Sequence, residues 1–150
     1  MDSQLQKHVQ EMLTLHKEEL SEITKPKFQD TVYIDELREL FTNVISAEWR
    51  EEGKQMEELL YSPDEPWTAA RNALHAYIVN AYLAGTMKGK GWLSDQDIDH
   101  FNQDLGDEFA GGINRTTEKL GGQKASRGKA FSDGFSAVSA RGANDALQKR

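Results

Sequence analysis

The sequence predicts an all-α fold: a four- to five-helix bundle, up-and-down and antiparallel, with a small-residue-rich C-terminal helix or tail. Three observations carry this expectation. Apolar residues recur at spacings of three and four along most of the chain, which is the period of one helix face. No segment shows the sustained apolar–polar alternation, rich in β-branched residues, of a half-buried strand. Charge and glycine also divide the chain. Met1–Asn114 carries 10 Lys/Arg against 22 Asp/Glu, a net −12, whereas Arg115–Arg150 carries 8 against 3, a net +5. The division predicts an acidic helical domain over 1–120 and a basic Gly/Ala/Ser-rich tail over 121–150.

The first helix is expected over about 2–24. Leu5, Val9, Leu13, His16, Leu20 and Ile23 form one stripe with Met12 beside it, the other face is Gln, Lys and Glu, and Pro26 is the expected stop. So narrow a stripe on so long a helix calls for a partner, within the chain or from a second copy. The second helix, about 31–60, follows Ile34, Leu37, Phe41, Val44, Ile45 and Trp49, and resumes after Gly53 with Met56, Leu59 and Leu60. Gly53 costs about 1 kcal/mol relative to Ala in a helix interior and marks a possible bend.

Ser62-Pro63-Asp64-Glu65-Pro66 is a helix-start signal, with Ser62 as the capping residue. The third helix, 66–87, carries Trp67, Ala70, Leu74, Tyr77, Ile78, Ala81 and Tyr82. It is the least charged segment and the expected central element. Gly85–Gly91 reads as a flexible turn. Ser94 followed by Asp97 opens the fourth helix, 94–120, in the manner of a capping box, with Ile98, Phe101, Leu105, Phe109 and Ile113 on its stripe. Gly111-Gly112 either stops this helix or permits a close crossing. In the tail, Phe131, Phe135, Val138 and Gly142 keep spacings of 4, 3 and 4, which permits a fifth helix over about 125–147. Internal glycines weaken that helix, so it is expected to form only when packed.

The chain has no cysteine, which excludes disulfides, thiolate metal sites and Cys nucleophiles. No run reaches the roughly 18 apolar residues of a membrane span. Met1–Gln10 lacks an apolar signal core, so a secretory leader is not expected and the cytoplasm is the default location.

Candidate chemistry is sparse. Asp95, Asp97 and Asp99 imitate the opening of a calcium loop, but His100 stands where the loop needs Gly and Gly106 where it needs Glu. Asp97, His100 and Asp104 fall on one helix face and are weak metal candidates, although di-iron bundles need Glu-x-x-His pairs that are absent here. No nucleophile elbow, dinucleotide loop or phosphate-binding loop occurs. No cofactor is expected, and catalysis has no positive support.

The expected function is that of a small cytoplasmic helical protein–protein interaction module, of adaptor, regulator or chaperone type, that also self-associates. The expected interaction residues are Leu5, Val9, Leu13, His16 and Leu20 on the first helix, Trp49 and Trp67 as aromatic anchors, and Phe131 and Phe135 in the tail. One alternative is a metal-binding protein or enzyme using Asp97, His100 and Asp104. Another is an acidic mimic of nucleic acid built on Glu48, Glu51, Glu52, Glu57 and Glu58. The tail's Lys119, Lys124, Arg127, Lys129 and Arg141 suit phosphate contacts, but the acidic body repels DNA, so nucleic acid is not the expected partner. No membrane partner is expected.

Overall fold

The computed structural model describes residues 3–28, 31–45, 59, 61–121 and 128–148. Among these, six helices and no strands occur: α1 Ser3–Leu15, α2 Lys17–Phe28, α3 Thr31–Ile45, α4 Glu65–Gly89, α5 Asp95–Lys119 and α6 Gly128–Gln148. The chain is an all-α helical bundle. None of these helices is long and apolar enough to cross a membrane.

Directions alternate from α3 to α6. Lys88 pairs with Asp95 at 2.9 Å across the α4–α5 turn, and Tyr77 packs on Phe109, so α5 runs back along α4. Phe41 packs on Phe131 and Phe135 while Tyr33, at the other end of α3, reaches Asp145, so α3 and α6 are antiparallel. Tyr77 meets Phe135, Ala81 meets Ser139 and Gly89 meets Ala146, so α4 and α6 are parallel. Parallel helices of an up-and-down bundle lie on its diagonal, where bulky side chains would hold them apart. Here glycine removes the obstruction. A Cβ on Gly85 would lie 1.9 Å from the Ser139 carbonyl oxygen, and one on Gly142 would lie 2.2 Å from that of Tyr82.

This close diagonal changes the expected role of three segments. The helical path continues through Gly85, Thr86 and Met87, all buried, and only Lys90 and Gly91 form a turn, with Gly91 at φ 83°. The expected flexible loop over 85–91 is therefore mostly the contact surface of α4. The third predicted helix shares the centre with the tail helix rather than occupying it alone. Phe131, Phe135 and Val138 are fully buried, and Phe41, Phe109, Phe131 and Phe135 form one aromatic centre built by α3, α5 and α6. Burying each such ring is worth roughly 1.5–3 kcal/mol, enough to offset the weak intrinsic helicity of a glycine-bearing segment.

Helix ends follow local chemistry. Ser94 caps α5 with a complete box: its Oγ accepts from Asp97 N–H at 3.1 Å, and Asp97 Oδ2 accepts from Ser94 N–H at 3.4 Å. At α4 the N-cap position is Asp64, not Ser62, and the Ser62 hydroxyl instead accepts the Asp64 N–H at 3.1 Å. Pro26 does not end α2, which runs to Phe28; in a last turn, proline removes one backbone donor without needing to stop the chain. Helix α5 passes through Gly111 and Gly112, where an added Cβ would meet only the Arg115 guanidinium. Trp49 and the Glu48–Glu58 cluster, together with the expected bend at Gly53, lie outside the described residues.

Candidate functional site

The long first helix expected from the stripe is two helices. The break is one residue wide: His16 N–H still donates to Met12 O at 3.0 Å, and His16 O still accepts Leu20 N–H at 2.9 Å. The apolar period runs straight through this point, so nothing in the local pattern demands a break. The neighbouring turn contacts the arm at this point. The His16 ring stacks on Trp92 with centroids 3.5 Å apart and planes 10° from parallel. One turn further on, Glu19 Oε1 pairs with Lys90 Nζ at 3.1 Å. Trp92 is itself fixed by its N–H donating to Met87 O at 2.9 Å, just past the left-handed Gly91. Both contacts fall on the α4–α5 turn and anchor the arm formed by α1 and α2 at and just after its break.

Before the break, α1 lies along α4 and α5. Leu5 and Val9 are buried, while Met12 and Leu13 are only half-buried against the core. A groove of about 620 Å³ remains there, bounded by Val9, Gln10 and Leu13 on the arm and by Tyr77, Asn80, Phe101, Leu105 and Glu108 on the core. A second groove of about 550 Å³ shares Tyr77 and Glu108 with the first and continues between α4 and α5, over a floor that includes Ala69, Ala70, Ala73 and Gly112. At the junction, the Tyr77 hydroxyl is held above its ordinary pKa, first by burial and then by the nearby Glu108 carboxylate. The two grooves make one trough, at least as polar as apolar beside α1 and more apolar between α4 and α5.

The opposite side of the bundle is pinned by polar groups. Asp145, on the α6 stripe, is buried and accepts hydrogen bonds from the hydroxyls of Tyr33 and Tyr82. The Arg141 guanidinium lies 3.8 Å from the carboxylate and 5.7 Å from the centre of the Tyr33 ring. Burial, followed by the bond to Asp145, pushes Tyr33 up to about 12 and raises Tyr82 as well. Nearby, Asn102 Nδ2 donates to Ser139 Oγ at 3.0 Å, and Ser139 donates to Ala81 O at 2.7 Å, tying α5, α6 and α4 at their closest approach. These groups satisfy one another's hydrogen bonds and hold helix positions.

The residues singled out by sequence are therefore dispersed. Leu5, Val9, Leu13 and His16 line or latch the arm, and Leu20 is buried beneath α2. Trp67 is 1% exposed, a core residue rather than a surface anchor, and its indole N–H has no hydrogen-bond partner among the described residues. Phe131 and Phe135 belong to the aromatic centre. Asp97 is engaged in its capping box, and His100 Nε2 stands 4.0 Å from Asp104 Oδ1. No group of three or more potential metal ligands occurs among the described residues.

Sequence reasoning passed over Trp92 and Asp145. Asp145 had a signal: it is the next position of the Phe131, Phe135, Val138, Gly142 stripe, where a carboxylate among apolar residues implies a buried partner. Trp92, next to a Gly-rich turn, had none. No protein-family model, curated protein or solved structure matches the chain.

Proposed function

We propose that the protein is a helical protein–protein interaction module whose working element is α1, and that it self-associates. The observation that carries this reading is the loosely filled trough beneath α1. Two of the arm's apolar residues, Met12 and Leu13, are only half-buried, and the groove stays open beside them. The aromatic centre, by contrast, is built without any residue of α1. An amphipathic helix resting on a core that it does not build is suited to exchanging one apolar partner for another.

Light scattering of the wild type and of Leu13→Glu across the micromolar range tests this. A mass that rises with concentration, and falls back toward the monomer in the variant, is expected. A strictly monomeric wild type removes the self-association, and an unaffected variant removes α1 from it.

A further inference from the structure

We infer that the groove beside α1 is a binding site for a small organic cation, a protonated amine on a short aromatic or aliphatic body. The inference needs α1 docked as described and does not need self-association, so a strictly monomeric protein leaves it standing.

Three helices meet in this groove, and each contributes a polar side chain. Gln10 comes from α1, Tyr77 and Asn80 from α4, and Glu108 from α5. Apolar side chains from α1 and α5 complete the walls. A concave site with apolar walls and a few convergent polar groups is the ordinary form of a small-molecule site.

Two observations set the class of ligand. Among the described residues, Glu108 is the only charged side chain that lines the groove, and it has no ion-pair partner. The side-chain amides of Gln10 and Asn80 also have no hydrogen-bond partner among the described residues. An ammonium group carries one positive charge and three N–H donors. Glu108 supplies the counter-charge, and the two amide oxygens supply further acceptors on the other two helices. Tyr77 and Phe101 add aromatic rings, the side chains that attract cations.

The wider field agrees in sign. Met1–Asn114 carries a net −12, a field that concentrates cations and repels anions. The cation felt by the Tyr77 hydroxyl, Arg115, lines the neighbouring groove between α4 and α5 and not this one.

Three probes of similar size and shape test the inference: phenethylamine, a cation at neutral pH, phenethyl alcohol, which is uncharged, and phenylacetate, an anion. Two-dimensional amide NMR of the full chain reads their binding, because the side-chain amide signals of Gln10 and Asn80 report on the groove itself. The amine should shift both signals saturably. It should bind several-fold more tightly than the alcohol, the margin of one ion pair at a solvated rim, and phenylacetate should bind more weakly than either. Glu108→Gln should lower the affinity for the amine to that for the alcohol and leave the alcohol unaffected. Glu108 is exposed, so this variant keeps the fold.

Equal binding of amine and alcohol, or tighter binding of phenylacetate, overturns the inference. So does an affinity for the amine that Glu108→Gln leaves unchanged. Shifts confined to acidic surfaces elsewhere, with the Gln10 and Asn80 signals unmoved in millimolar amine, show only screening of the net charge and overturn it as well.

Discussion

The Tyr82 hydroxyl donates to Asp145 Oδ2 at 2.5 Å, joining α4 to the last turn of α6 deep in the bundle. A carboxylate near a helix C-terminus faces the negative end of the dipole. Asp145 is tolerated because Tyr33, Tyr82 and Arg141 surround it. Tyr82→Phe keeps the ring and removes one donor, and should cost about 1–3 kcal/mol. Asp145→Leu removes the shared acceptor of both hydroxyls and should cost at least as much. Urea unfolding of the two variants, with unchanged helical circular dichroism in water, checks this.

The same tyrosines set an alkaline limit. Tyr33 titrates at about 12 in the folded chain, against 10.0 for a free tyrosine. The fold therefore favours the protonated phenol. That stability is fully present below pH 10 and is lost as pH rises from 10 toward 12, where the unfolded chain sheds the proton first. Tyr82 is raised for the same reason, burial first, and extends the loss to higher pH. Melting temperature should fall steeply above pH 10, and Tyr33→Phe should flatten the slope.

Glycine substitutions should split by location. Gly85→Ala and Gly142→Ala place a methyl against backbone carbonyls of the facing helix. Neither carbonyl can rotate away, so the seam must open. The cost should reach about 3 kcal/mol or more, beyond the ordinary range for overpacking, and it outweighs the gain of about 1 kcal/mol from better helix propensity. At Gly112 the nearest obstruction is the tip of Arg115 at 3.8 Å, so alanine there should stabilise by up to about 1 kcal/mol. Thermal melts of the three variants decide it.

Removing α6 should abolish the fold of the rest. A chain ending at Gly121 loses Phe131, Phe135 and Val138 from the core, and leaves Gly85 and Thr86 of α4 without the helix they pack against. Losing even one such phenylalanine to alanine costs about 3–5 kcal/mol. The truncated chain should show no cooperative melt.

What the sequence made legible was the helical period. Four of the observed helix positions follow from stripes such as Ile98, Phe101, Leu105 and Phe109, and the α5 start follows from Ser94 and Asp97. The chain's glycines misled in a consistent way. Read locally, Gly85, Gly89 and Gly142 weaken helices and suggest turns. Their function is tertiary, because they let α4 and α6 touch across the diagonal, and no local pattern distinguishes these two roles. Charge marks the basic segment but not its packing partners: its stripe residues lie between α3, α4 and α5. The anchoring of His16 was illegible because the ring it stacks on, Trp92, lies 76 positions away.

The proposed function requires a fixed core of α3–α6 that carries a detachable α1. Native-state hydrogen exchange tests it most directly, because local opening frees the amides of the moving element without global unfolding. The backbone amides of α1 should exchange orders of magnitude faster than those of α4 and α6 flanking Gly85 and Ser139, and His16→Ala should change the rates in α1 while leaving α4 and α6 as they were. Protection in α1 equal to that of α6, lost only in the global unfolding event, would contradict it.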